Sequence, residues 1–510
     1  MSLMPALTFP LIPFLLITLP WLNPFTLGPS PAVMPLLFSW ACALALMGFL
    51  ILARPASSQP TSTGPLVSAV AGAWWAAAIL SALLGLLQYF GAADALTPWV
   101  NSTQIGEAFA NLRQRNQFAT LTNIGLSALM WWVLKKPEPN KPHATLSEFG
   151  ALSSAALLQL GNAASSSRTG LLQLLLLLVL FGLWGARRQP RALRVLLVAA
   201  LTYALGVVLL PLLLGLDPLS SGMLARLHEG DSLCASRLTL WANVLHLIAQ
   251  KPLLGWGWGE LDFAHFMTLY SGPRFCEILD NAHNLPLQLA VELGLPFTLA
   301  CSALATWAVW RSKPWREKDA TRQMAWAVVA VILLHSLLEY PLWYGPFQMA
   351  LGLSIWLLWR PTEHTSGEIK TNNPSDQYLK ARAATFLIAL LFIGVAYAAW
   401  DYNRISQIFL VPKDRMSAYR DNTLQKIKDS WLFQGQVEFA TLASLELSPE
   451  NAVQVNSLAK SLLHFSPEPR VVEALIESAE LLGQTDEVAY FRTRYQAAFP
   501  DQYAKWVLKH

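Results

Sequence analysis

The sequence predicts an all-α polytopic membrane protein, and three observations predict it. Of its 510 residues 54% are hydrophobic and only 13% are charged, about half the charged share of an ordinary soluble chain. The apolar residues fall into runs near the roughly 20 residues that carry a helix across a bilayer. The 21 tryptophans crowd the ends of those runs, as aromatic rings at a membrane–water interface do. The net charge of +4 says little by itself, because orientation depends on where Lys and Arg stand.

About eleven transmembrane spans follow in order, near residues 5–23, 31–53, 66–90, 117–134, 146–163, 170–186, 192–214, 285–310, 324–341, 343–359 and 383–400. The first has no basic n-region and no small-residue cleavage site, so it reads as a retained span. If the spans alternate, four basic clusters share one side. They are Lys135, Lys136 and Lys141; Arg187, Arg188, Arg191 and Arg194; Arg311, Lys313, Arg316, Lys318 and Arg322; and Arg360, Lys370, Lys380 and Arg382. That side is then cytoplasmic, with the N-terminus. Residues 91–116, 215–284 and 401–510 lie outside. Cys42 and Cys301 fall within spans and read as small apolar fillers. Cys234 and Cys276 share the large external loop, where an oxidising compartment permits a bridge, though spacing alone does not decide whether they pair.

Within that loop SRLTLWANVLHLIAQKPLLGWGWG (236–259) has helical periodicity, with Leu238, Trp241, Leu245 and Ile248 on one stripe. It is amphipathic and too polar to span, so it is expected to lie along the surface of the bilayer or the bundle. GWGWG lacks the spacing of a phosphate loop and reads as a tight turn with interfacial tryptophans. After Trp400 the composition changes, so the chain is divided into a bundle, 1–400, and a soluble helical module, 401–510. Ser448-Pro449-Glu450 and Ser466-Pro467-Glu468 read as helix starts. FSPEP at 465 and FPDQ at 499 stand 34 residues apart, the period of a tetratricopeptide helix pair. Only about one and a half such units fit, so the expectation is helical hairpins.

Four constellations carry possible chemistry, and topology puts all four on the external face. NLRQRNQFAT (111–120) sets Arg113, Arg115, Asn116 and Gln117 at the start of a span; such a turn either touches lipid headgroups or grips phosphate oxygens. In SSSRTG (165–170), Arg168 either snorkels to headgroups or faces an internal polar cavity. In DNAHNLPLQLAVELGLP (280–296), Asn284 is an N-cap and Pro286 suits the first turn. His283 then stands just outside a helix N-terminus, where unpaired N–H groups favour an anion. Gln288 and Glu292 follow on one face, with Glu292 inside the span. Taken alone, His283 is a loop histidine as readily as a ligand. In HSLLEYPLWYG (335–345), His335 and Glu339 are one helical turn apart, and Tyr340 and Tyr344 flank a helix-breaking proline; a structural kink is the competing reading.

Other signals are discounted. GDSL (230–233) matches a hydrolase tetrapeptide but has no strand context, which removes Ser232 as a nucleophile. No His-Glu-x-x-His helix and no external aspartate cluster stands in the sequence, so no metal and no cofactor is expected. The basic regions are topological, which argues against a nucleic-acid partner.

RNQFAT, SRTG, PLLGWGWG, DNAHNLPLQLAVELGLP and HSLLEYPLWY, in this order over roughly residues 100–410, together resemble the O-antigen ligase/polymerase superfamily of bacterial membrane glycosyltransferases (Wzy/WaaL-like). Within it, the chain is most similar to the PglL-type protein O-oligosaccharyltransferases that glycosylate pilins. The resemblance implies a GT-C-like bundle in the inner membrane, with the large loop and the C-terminal region in the periplasm. It implies an oligosaccharide donor on undecaprenyl diphosphate, moved en bloc to a hydroxyl without metal or nucleotide. By the motifs, His283 would be the base, with Gln117 and Tyr340 beside it. Arg168, and less directly Arg115 and Arg237, would bind the diphosphate. Arg113, Asn284, Glu292 and Glu339 complete the candidate set.

That chemistry suits the residue types. A base must reach the acceptor proton, and an imidazole titrating near ~6.5 does so at neutral pH. Arginines and a helix N-terminus stabilise charge on a leaving diphosphate. Glu292 or Glu339 would orient the histidine. Three acceptors remain open: Ser or Thr of exported proteins, lipid A–core, or a growing glycan chain. A lipid-linked sugar transporter or flippase is the non-enzyme alternative; the lack of an internal repeat and the outer-rim placement of the polar residues argue against it.

Overall fold

The structure, a computed structural model, describes residues 4–26, 28–53, 64–135, 147–228, 233–359 and 374–509. Lys136, Lys141, Arg360, Lys370 and residues 230–232 of GDSL lie outside the described residues. Among the described residues there are helices and no strand. The chain begins with α1 (Met4–Leu22), α2 (Val33–Leu52), α3 (Gly64–Tyr89), α4 (Arg115–Leu134), α5 (Glu148–Ala164), α6 (Arg168–Leu183) and α7 (Pro190–Leu213). Next come α8 (Gly222–His228), α9 (Arg237–Gln250), α10 (Leu261–Met267), α11 (Leu285–Leu293), α12 (Leu295–Ser312), α13 (Ala320–Ser336), α14 (Gly345–Trp359) and α15 (Pro374–Ser406). The C-terminal helices are α16 (Thr423–Ile427), α17 (Gln434–Ser444), α18 (Ala452–Leu463), α19 (Pro469–Leu481), α20 (Thr485–Ala498) and α21 (Pro500–Val507). They form two compact units, one of residues 1–26, 31–229 and 309–397, the other of 27–30, 230–308 and 398–510.

Every expected span except one coincides with a single helix. Among the described residues, four stretches are both long and apolar enough to cross a bilayer: Val33–Leu52, Gly64–Tyr89, Pro190–Leu213 and Leu379–Phe409. Pro10–Leu22 and Arg168–Leu183 are apolar but shorter. The exception is 285–310. Gly294, at φ 87 and ψ 164, ends α11 after nine residues, and α12 starts afresh. Glu292 therefore stands at the end of a short helix rather than inside a span.

In the first unit α4 packs against α3, α5, α6 and α13. It is buried without interruption from Gln117 to Trp131. A helix enclosed on all sides is ordinarily apolar all round, yet Thr120, Asn123 and Ser127 are wholly buried. Those polar groups need partners inside the bundle.

The second unit has two cores. One joins Leu240, Val244 and Leu247 of α9 to Leu261, Phe275, Leu279 and Val291. The other holds α17 to α21 around Leu475, Ile476 and Tyr495 and takes in Phe266 of α10. Of the expected α9 stripe, Leu238 and Leu245 are 77% and 55% exposed and Ile248 is 6% exposed. The buried face of α9 takes in Asn243, a polar residue with interior partners. Its Nδ2 donates to the Pro273 carbonyl (3.0 Å) and its Oδ1 accepts from Phe275 N–H (2.8 Å). The two serine helix starts are also displaced. Asn451 and Glu468 hold the N-cap positions of α18 and α19, and Ser448 precedes its helix in a turn closed by Asn451 Oδ1 (2.8 Å).

Candidate functional site

Three of the four sequence constellations meet in the first unit, and Asn116 joins them. Gln114 caps α4, its side chain accepting from Gln117 N–H (2.7 Å), which sets Asn116 and Gln117 in the first turn. Asn116 Nδ2 donates to Glu339 Oε1 (3.2 Å), and its Oδ1 accepts from Ser167 Oγ (2.6 Å). One turn deeper, Thr120 Oγ1 meets His335 Nδ1 (2.9 Å), and Gln173 Nε2 donates to Thr120 Oγ1 (2.9 Å) and to the Val331 carbonyl (3.0 Å). Asn123 Nδ2 continues the seam to the Gly170 carbonyl (3.2 Å). His335 and Glu339, one helical turn apart, both make bonds to α4. Gln117 is buried and Tyr340 half-buried, its ring stacked on Tyr344 at 5.9 Å between centroids.

Beside this seam lies a cavity of about 200 Å³ lined by Glu107, Arg115, Ser165, Ser166, Ser221 and Arg226, among others. Arg115 pairs with Glu107 at 3.2 Å, and Arg226 donates to the Ser166 carbonyl at 3.2 Å. Arg226 was not among the residues the sequence singled out; its signal is a lone Arg within LARL (224–227). Arg168, for which headgroups and an internal cavity were both open, is exposed at the first residue of α6. Arg113 holds its own loop, donating to the Pro24 carbonyl (3.3 Å) and Asn101 Oδ1 (3.2 Å). Burial lowers its pKa from the ordinary value.

The fourth constellation lies in the second unit. Asn284 caps α11, its Oδ1 accepting from Leu287 N–H (3.1 Å). His283, half-buried, precedes the cap in the left-handed region at φ 49, a conformation non-glycine residues adopt only when their surroundings impose it. Its N–H donates to Asn281 Oδ1 (2.8 Å). At the other end of α11 the GWGWG turn is locked by Trp256 N–H to the Val291 carbonyl (2.8 Å), Gly257 N–H to the Glu292 carbonyl (3.0 Å) and Gly259 N–H to Glu292 Oε1 (2.9 Å). Glu292 thus secures the turn. Of the two tryptophans expected at an interface, Trp258 is 63% exposed, whereas Trp256 Nε1 donates inward to the Leu247 carbonyl (3.0 Å). Arg237 opens α9 behind the Ser236 cap.

Cys234 and Cys276 are joined by a disulfide, with Cα atoms 5.2 Å apart. Two titratable groups, His265 buried and Asp262 half-buried, sit within the stapled loop. Burial drives His265 down to about 3, helped by Arg274. Its Nε2–H donates to the Phe275 carbonyl (3.2 Å), leaving Nδ1 to accept from Tyr270 (2.8 Å). Asp262 is pushed up to about 7 by burial, with Glu260 and Asp280 adding and the Phe263 N–H opposing.

Apolar helices of spanning length around a buried polar seam define a multi-pass helical membrane protein. Residues 153–302 match the family described as O-Antigen ligase, 323–510 the family described as Virulence factor membrane-bound polymerase, C-terminal, and 108–133 the family described as Protein glycosylation ligase. Two curated relatives come from Acinetobacter baylyi (strain ATCC 33305 / BD413 / ADP1). A general O-oligosaccharyltransferase is 25% identical over 344 residues, 64% of this chain and 55% of the relative. A ComP-specific O-oligosaccharyltransferase is 28% identical over 255 residues, 49% and 44% of the two. The chain spans about half the length of these relatives. Its similarity to the O-antigen ligase superfamily, and to the PglL type within it, is thereby shown.

Proposed function

We propose that this chain is an inner-membrane oligosaccharyltransferase, moving a preassembled glycan from undecaprenyl diphosphate to Ser or Thr hydroxyls of exported proteins, pilins among them. The single observation that carries the reading is His283, held in an imposed left-handed conformation at the N-terminus of α11. A base of that kind takes the acceptor hydroxyl proton as the oxygen bonds to the sugar anomeric carbon. The bond from that carbon to the diphosphate oxygen breaks, and undecaprenyl diphosphate leaves with the electron pair. Arginine side chains, by motif Arg168 first and then Arg115 and Arg237, stabilise the departing charge. Gln117 and Tyr340 act with the base. The loop and the C-terminal helices face the periplasm, and the N-terminus the cytoplasm.

The protein acceptor is preferred over lipid A–core or a growing chain because the short match at 108–133 is to a protein glycosylation ligase. Purified protein is incubated with a lipid-linked oligosaccharide and, separately, a pilin-like protein and lipid A–core. Glycan on the protein is expected; glycan on lipid A–core alone refutes the acceptor. A folded His283→Ala variant with full transfer refutes the base.

A further inference from the structure

Ala282, the residue immediately before His283, is gripped at both of its peptide groups by side chains of two different helices. The Ala282 N–H donates to Gln288 Oε1 of α11 (2.6 Å), and the Ala282 carbonyl accepts from Trp241 Nε1–H of α9 (3.1 Å). Ala282 is fully buried and Gln288 2% exposed, so water does not compete for the Gln288 bond, while the Trp241 bond is half-buried. The His283 N–H is taken by Asn281 Oδ1. A left-handed non-glycine residue costs roughly 1–2 kcal/mol relative to the ordinary backbone, so something must hold it there. Here three side-chain bonds fix the orientation of the peptide planes on either side of Ala282 and of the His283 amide.

We infer that Trp241 and Gln288 are positioning residues that clamp the two peptide groups flanking Ala282 and so aim the His283 imidazole. The inference rests on the proposed role of His283 as base. Loss of either bond frees the peptide to rotate toward the ordinary right-handed backbone, and the imidazole swings with it. A displacement of about 1 Å at a reacting group costs on the order of a hundredfold in rate, whereas binding of a large lipid-linked donor depends on many other contacts.

Two full-length variants test it, Trp241→Phe, which keeps a ring but removes the N–H, and Gln288→Met, which keeps the length but removes the acceptor together with the side-chain bond from Gln288 to Glu292. The expected result is a kcat lower by about ten- to a hundredfold at a KM for donor near wild type, with faster amide hydrogen exchange confined to the segment around 281–287. An unchanged kcat, a raised KM at unchanged kcat, or slowing with unchanged exchange in that segment overturns the clamp. If Trp241→Phe loosens the whole of 233–308, the effect there is on folding and Gln288→Met decides. His283→Ala run in parallel separates the two ideas. Full transfer by that variant removes the base, while a clamp failure shows as inactive His283→Ala beside fully active Trp241→Phe and Gln288→Met.

Discussion

Replacing Gly294 with alanine tests why the apolar segment 285–310 is two helices. At φ 87 and ψ 164 the residue sits in a region essentially reserved for glycine, with a cost of about 1–3 kcal/mol for any other residue. A Cβ there would stand 2.1 Å from the Leu253 carbonyl oxygen, 2.5 Å from its carbon and 2.9 Å from Leu254 N. These are backbone atoms and cannot rotate aside. Separating the two strands of chain breaks the bond from Leu295 N–H to the Pro252 carbonyl (2.8 Å) and strains that from Gly257 N–H to the Glu292 carbonyl (3.0 Å). At about 1 kcal/mol per bond, the total is roughly 3–5 kcal/mol. Gly259 is the control: its φ is +79, but nothing lies within 4 Å of its Cβ position, so Gly259→Ala costs only about 1–2 kcal/mol. Thermal unfolding in detergent, followed by tryptophan fluorescence, reads the difference. With about 2–4 °C per kcal/mol for a unit of this size, Gly294→Ala should lower the midpoint by roughly 6–20 °C and Gly259→Ala by roughly 2–8 °C. Gly255→Ala should behave like Gly294→Ala, since its Cβ would meet the Glu292 carbonyl carbon and oxygen at 2.4 Å. Equal shifts for Gly294 and Gly259 would refute the steric argument.

Two further predictions concern the stapled loop. Asp262 titrates near 7 in the folded chain against an ordinary 3.8, so its contribution to stability is present below about 4 and lost as pH rises through about 7. His265, near 3 against 6.5, contributes above 6.5 and loses its contribution as pH falls toward 3. The opposed slopes overlap between about 4 and 6.5, so Asp262→Asn should melt higher than wild type at pH 8 and lose that advantage by pH 4. A constant offset across that range would count against it. Removing the disulfide by Cys234→Ala with Cys276→Ala opens a loop of sequence separation 42 and should destabilise the second unit by about 4 kcal/mol on chain entropy; a change under about 1 kcal/mol would show that the loop needs no staple.

Helix positions were legible because apolar run length and span ends are local properties. So was the Asn284 cap, whose bond to Leu287 spans three residues. What the sequence hid depends on partners distant along the chain. Asn243 lies on the buried face of α9, and its interior partners at Pro273 and Phe275 lie 30 and 32 residues on. The break at Gly294 was masked by the apolar residues on both sides of it, since hydropathy does not register φ. The motifs at 116, 167 and 339 were each visible, but their junction at one amide was not.

That junction gives a last prediction, which separates charge from shape. Asn116 accepts from Ser167 on one side and donates to Glu339 on the other, and Glu339 is 7% exposed. Asn116→Ala removes both bonds. Side-chain hydrogen bonds within a membrane bundle average about 0.6 kcal/mol, so the loss should be close to ~1 kcal/mol. Asn116→Asp keeps the shape and the bond from Ser167 but turns a carboxylate toward Glu339. At the 3.2 Å separation of the present bond, two like charges repel by about 5 kcal/mol at an effective dielectric constant near 20. If Glu339 carries its charge in the bundle, the isosteric aspartate should therefore lower the melting midpoint well beyond the truncating alanine, even though it keeps more of the native contacts. An aspartate milder than the alanine would mean that Glu339 is neutral there, and that Asn116 serves as a hydrogen-bond bridge and not as a partner for charge.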